Sequence, residues 1–151
     1  MNSQNVLNEH WQLTYRFALA RTGNEDISRD ICGEVFLILC KKQPEFKSTD
    51  ALRVWLIKTA RNVIANEFKR AKTLPLEKAD EVAVTDTLAF EFYDLLSTLP
   101  PKLRDVTLLY YIEDMDISDV ANAMGIPQGT VKSRLSRARS ELSKIYKEEI
   151  L

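Results

Sequence analysis

Asp116–Leu142, DISDVANAMGIPQGTVKSRLSRARSEL, decides the fold, because two helical patterns of different length meet there across a break too short to be a linker. Ile117, Val120, Ala121 and Met124 fall at i, i+3, i+4 and i+7, one stripe of a short helix that Ser118 is placed to cap. Gly125, lacking a Cβ, can take the left-handed conformation that closes this helix. Pro127 fixes the backbone at the entry of the next helix and gives up an N–H that would have no helical partner there. In the second pattern Val131, Leu135, Ala138, Leu142 and Ile145 form one buried face, and Lys132, Arg134, Arg137, Arg139, Lys144 and Lys147 occupy the rest. Between Gln128 and Lys147 six cations stand against Glu141 alone, a formal +5. A short helix, a glycine turn and a basic second helix match the helix-turn-helix, whose second helix enters the major groove of DNA. Many basic helix faces are merely solvated. Three features favour nucleic acid here: the glycine turn, the small Ala121 and Ala123 that let the helices approach, and cations concentrated on one element of a chain with formal net charge −1.

Toward the N-terminus, Pro100 and Pro101 open a helix whose Leu103, Val106, Leu109, Tyr110 and Ile112 make a buried face supporting the helix-turn-helix. The character changes between Pro75 and Thr98, where Glu77, Asp80, Glu81, Asp86, Glu91 and Asp94 oppose only Lys78, a formal −5. Residues 79–87 carry no sustained helical stripe. The reading is an acidic linker over 74–92 joining a small helical domain at 1–73 to a second at 93–151, each near the size at which one core only just suffices.

The first domain reads as three helices. Leu7, Trp11, Tyr15, Ala18 and Leu19 form the stripe of a helix from about Asn5 to Arg21 that stops at Gly23. Asn24, Glu25 and Asp26 suit the cap and first turn of the next, where acids favour the positive end of the helix dipole. Its stripe is Ile27, Ile31, Val35, Ile38 and Leu39, ending before Pro44. Phe36 and Leu37 lie off that stripe, so this helix is apolar on more than one side, and either burial or a partner surface would account for it. Ser48 or Thr49 caps a third helix from Asp50 to about Lys72, with Leu52, Leu56, Ala60, Val63 and Ile64 inward. From Arg53 to Lys72 six cations oppose Glu67 alone, again a formal +5, interleaved with Trp55, Asn62, Asn66 and Phe68. Cations beside aromatics and amides suit nucleic acid with exposed bases, since aromatics stack on bases and amides bond their edges; the plain alternative is that Trp55 and Phe68 are core.

Composition excludes several classes. Cys32 and Cys40 are eight residues apart on one helix, about 12 Å along its axis and too far for a disulfide, so both are expected as reduced, partly buried thiols. With His10 the single histidine and no metal-ligand spacing among the cysteines, neither metal nor cofactor is expected. No phosphate-binding glycine loop or nucleophile motif is present. The longest apolar run, Val35 to Cys40, is far short of the roughly 20 residues that span a bilayer. The N-terminus lacks a signal-peptide pattern, and the chain is expected to stay in the cytoplasm. Few glycines and few β-branched runs make the fold all-α throughout.

DICGEVFLILCKK, then WLIKTARNVIANEFKR, an acidic linker, and LPPKLRDVTLLYYIEDMDISDVANAMGIPQGTVKSRLSRARSEL together resemble bacterial RNA polymerase sigma factors of the sigma-70 family, extracytoplasmic-function group. The resemblance covers nearly the whole chain, and only the family's two promoter-reading domains fit in its length. It implies a non-enzymatic protein that binds the polymerase core and directs promoter-specific initiation, catalysis belonging to the polymerase. The second helix would meet the clamp of the largest subunit through Asp30, Glu34, Val35, Phe36 and Lys41. The third would melt and hold the −10 element through Trp55, Lys58, Arg61, Asn62, Asn66, Lys69 and Arg70. The helix-turn-helix would read the −35 element through Thr130, Lys132, Ser133, Arg134, Arg137 and Arg139. An anti-sigma factor is the family's habitual regulatory partner. The chain departs from the family's pattern at Gly33, commonly an amide, at Leu52, commonly aromatic, and at Asn66, commonly an acid. The competing reading is a helix-turn-helix transcriptional regulator that binds DNA without the polymerase core; a second basic, aromatic-bearing helix would be of no use to it.

Overall fold

The computed structural model describes residues 3–71 and 93–150, with side chains at 7–67, 69 and 93–145. Among the described residues there is no strand, and the fold is all-α. The chain divides into two compact units, Met1–Ala83 and Val84–Leu151. The acidic linker expected over 74–92 lies outside the described residues, as do the side chains of Phe68, Arg70 and Lys147.

In the first unit α1 (Ser3–Thr22), α2 (Glu25–Lys42) and α3 (Thr49–Ala71) each pack against the other two. Leu13, Phe17 and Ala18 of α1, Ile31, Cys32 and Val35 of α2, and Leu56, Ile57, Ala60 and Ile64 of α3 fill the core. The register of α1 differs from the expected stripe: Leu7 is 55% exposed, Trp11 and Tyr15 are half-buried, and the buried line runs through His10, Leu13, Thr14 and Phe17. Two polar residues hide that line in the sequence, yet they are tolerated inside. Thr14 donates its hydroxyl to the His10 carbonyl at 2.9 Å, and burial together with Arg53 lowers the His10 pKa, favouring neutral imidazole.

The turn between α1 and α2 needs Gly23, whose φ is 66°. Asn24 then caps α2, its side chain accepting from the Ile27 N–H at 3.0 Å. Gln43 closes α2 in the left-handed region, its N–H reaching the Leu39 carbonyl at 2.9 Å. Ser48, not Thr49, caps α3, accepting from the Ala51 N–H at 3.1 Å. The cysteines are both free but unlike. Cys32 is in the core, where burial pushes its thiol up to about 12, whereas Cys40 is exposed and not the partly buried thiol expected.

In the second unit residues 93–97 are helical and precede α4 (Pro101–Thr107). Arg104 fastens the two together, donating from Nε to the Leu96 carbonyl at 3.1 Å and from Nη2 to that of Leu99 at 3.0 Å. The helix expected to run on through Ile112 instead widens into a π-helical turn, Leu108–Ile112, closed by the Glu113 N–H on the Leu108 carbonyl at 3.1 Å. That wider turn brings both Leu108 and Leu109 into the core and leaves Asp114 at a positive φ of 53°. Helix α5 (Ile117–Met124) and helix α6 (Gln128–Ile150) follow, and α6 packs against both α4 and α5.

Candidate nucleic-acid interface

The turn that presents α6 is assembled from local chemistry. Asp116, not Ser118, caps α5: its backbone is extended and its carboxylate accepts from the Asp119 N–H at 2.8 Å, while Ser118 lies within the first turn. Gly125 is left-handed with φ 67°, and Ile126 returns its N–H to the Ala121 carbonyl at 3.1 Å. The Pro127 carbonyl accepts from Thr130 and Val131 at 3.0 and 3.1 Å, starting α6. Val120, Ala123 and Met124 bury against the same core as Val131, Leu135 and Ala138, so one side of α6 is committed to packing. Its other side is available. Lys132, Ser133, Arg137 and Arg139 are exposed, and Thr130 and Arg134 are half-buried at the border. Ser133 turns its hydroxyl back to the Thr130 carbonyl at 3.2 Å. Arg139 donates from Nη1 to the Tyr111 hydroxyl at 2.9 Å, a contact with no signal in the sequence because the two residues are 28 apart. A basic face of this kind attracts polyanions.

On α3 the expected residues fall largely on one line. Trp55, Lys58, Asn62, Asn66 and Lys69 recur at spacings of three and four, and all but the half-buried Trp55 are exposed. Arg61 is half-buried beside that line, and Val54, Ile57, Val63 and Ile64 bury on the opposite side. Trp55 is part core and part surface. Its ring meets Phe46 edge-on with centroids 5.9 Å apart and planes at 66°. The line covers about 21 Å at 1.5 Å per residue, and it presents cations, amides and one aromatic edge without an intervening acid.

The expected contact face of α2 is corrected in part. Val35 is 0% exposed and belongs to the core, because it shares the inward stripe with Ile31 and Cys32. Phe36 is half-buried and tilted against Trp11 of α1, with centroids 5.2 Å apart. Asp30, Glu34 and Lys41 are exposed as expected. They share their line with two apolar residues outside the expected set: Ile27, 41% exposed, and Leu37, 63% exposed. The spacing 27, 30, 34, 37, 41 was the available signal. No group of three or more His, Cys, Asp or Glu side chains able to hold a metal occurs among the described residues, and no described helix is long and apolar enough to cross a membrane.

Two family models match the chain, Sigma-70 region 2 over residues 6–73 and Sigma-70, region 4 over residues 89–142. The chain is 30% identical to the ECF RNA polymerase sigma factor EcfG of Rhodopseudomonas palustris (strain TIE-1), over 84% of this chain and 75% of that protein. It is 28% identical to the RNA polymerase sigma factor HrpL of Pseudomonas syringae pv. syringae, over 87% of this chain and 79% of that one. In fold it is similar to the sigma factor RpoE of Bartonella quintana, solved in complex with the anti-sigma factor NepR. That likeness has a TM-score of 0.75 at 24% identity and covers 95% of this chain and 96% of the other.

Proposed function

Because this chain belongs to the extracytoplasmic-function group of the sigma-70 family of RNA polymerase sigma factors, we propose that it joins the polymerase core and directs initiation at promoters whose −10 and −35 elements it recognises. The first unit serves the −10 element and the clamp of the largest subunit. Trp55, Asn62 and Asn66 act on unpaired bases, and Lys58, Arg61, Lys69 and Arg70 on the backbone of the opened strand. The second unit serves the −35 duplex, with Thr130, Lys132, Ser133, Arg134, Arg137 and Arg139 at or beside the major groove. Asp30, Glu34, Phe36 and Lys41 meet the clamp, with Ile27 and Leu37 as the apolar part of that contact and Val35 withdrawn into the core. Making the phosphodiester bond is left to the polymerase, and the work is placed in the cytoplasm, where polymerase and promoter are. A silencing partner of the anti-sigma kind would have to cover the α2 line or one of the basic faces.

The observation that carries this reading is the line on α3 in which the half-buried Trp55 is followed by the exposed Lys58, Asn62, Asn66 and Lys69. A regulator gripping duplex DNA only through its helix-turn-helix has no use for a second basic face bearing an aromatic edge and two amides. Run-off transcription with purified bacterial core polymerase is the test. Initiation that requires this chain is the expected result, and DNA binding without initiation would favour the regulator.

A further inference from the structure

The π-helical turn ends by presenting Tyr111 to solvent, 46% exposed. Its ring is held by the neighbouring Tyr110, whose plane lies at 90° to it with centroids 4.9 Å apart. Its hydroxyl accepts a hydrogen bond from Nη1 of Arg139 at 2.9 Å. An exposed tyrosine would otherwise be a loose surface ring, and an exposed arginine a freely rotating cation; here each fixes the other.

The chemistry of the pair is directional. A phenolic oxygen that accepts from arginine keeps its own O–H to donate, and a guanidinium that has used one N–H keeps four more. The pair therefore offers five N–H and O–H donors and carries one positive charge, which is the complement of an anionic oxygen. Its place along the recognition helix says which anion. Arg139 lies eleven residues beyond Gln128, about 16 Å along the axis at 1.5 Å per residue. The major groove is about 12 Å wide, and recognition helices of this class read bases with their N-terminal residues. A side chain this far along reaches the strand that borders the groove.

We propose that Tyr111 and Arg139 form a clamp for one backbone phosphate of the duplex bound by α6, with Arg139 supplying the charge and Tyr111 both orienting the guanidinium and donating its own O–H to the same phosphate. The proposal deepens the reading of α6 as the duplex-binding element and rests on it. The clamp adds affinity without sequence preference, because a phosphate carries no base identity. Holding the guanidinium in place before binding reduces the ordering entropy that a free arginine would lose on contact.

The test uses the full chain and two short DNA duplexes of unrelated sequence, with binding measured across a range of salt. Tyr111→Phe keeps the ring packing and removes only the hydroxyl; it should weaken both duplexes alike by about 3- to 10-fold, the scale of one hydrogen bond. Arg139→Gln should weaken both and lower the slope of log K against log salt by about one, as loss of one phosphate contact requires. In the double variant Tyr111→Phe should add little to Arg139→Gln, because the two act as a unit. Wild-type affinity in Tyr111→Phe, a gain in affinity, or independent multiplication of the two losses overturns the clamp. Arg137→Ala separates the two levels of the argument. If it weakens binding while Tyr111→Phe does not, α6 binds duplex and only the clamp is wrong; if neither does, the duplex-binding reading of α6 falls as well.

Discussion

Gly33 stands in the interior of α2, where an added Cβ would meet nothing within 4 Å. Glycine there costs about 1 kcal/mol relative to alanine, chiefly in backbone entropy, and no close approach offsets the loss. Gly33→Ala is expected to stabilise the first unit by about that amount and to raise its melting midpoint by roughly 4–8 °C, as for a domain of 60–100 residues. Thermal circular dichroism reads the shift, and a midpoint that stays or falls contradicts an unconstrained glycine. Single residues were also where sequence reasoning missed most often. Asp116 and Ser118 both suit an N-cap, and only backbone geometry assigns the role to Asp116. Val35 lies one position from an exposed face yet is fully buried. One residue is 100° of helix rotation, so a family-level assignment that slips by one lands in the core.

Helices as elements were more legible than their faces. Gly23, Asn24, Gly125 and the Pro100–Pro101 pair mark ends that local chemistry imposes whatever the tertiary context. The π-helical turn Leu108–Ile112 was invisible because one additional residue in a turn leaves the apolar run LLYYI unchanged. On α2 the corrected face gives a sharper prediction. Leu37→Ser removes an exposed apolar side chain, so it should leave the melting midpoint nearly unchanged while weakening capture of bacterial core polymerase. Val35→Ala should destabilise by about 2 kcal/mol through lost burial and alter polymerase capture only as far as folding fails. A reversed pattern in pull-down and melting experiments would place the contact elsewhere. On α3, Trp55 is a poor probe, since its packing on Phe46 couples any function to stability. The exposed Asn62 is clean. Asn62→Ala should leave closed-complex formation nearly intact while lowering permanganate reactivity of promoter thymines near the start site. Unchanged reactivity would remove Asn62 from the melting step.

For the molecule as a whole, charge is the property that no single helix displays. The chain has a formal net charge of −1, yet residues 53–72 and 128–147 each carry +5 and residues 75–98 carry −5. A polyanion and this acidic segment present the same sign to the two basic segments, so the segment is expected to compete with nucleic acid for the faces proposed to bind it. Such competition has no base specificity, and it should lower affinity for arbitrary DNA more than for a promoter whose bases are also read. Replacing Glu77, Asp80, Glu81 and Asp86 by Gln or Asn takes the formal net charge from −1 to +3. The neutralised chain is expected to bind arbitrary duplex more tightly at low salt, with a smaller gain on promoter DNA and a narrower ratio between the two. Because charges separated by more than about 8 Å are largely screened at physiological ionic strength, the difference should shrink as salt rises toward 1 M, where the screening length is about 3 Å. Affinity titrations of both chains on both DNAs across salt decide the matter. An unchanged ratio at low salt would mean that the acidic segment is a solvated spacer, and that the two basic faces owe their selectivity to base contacts alone.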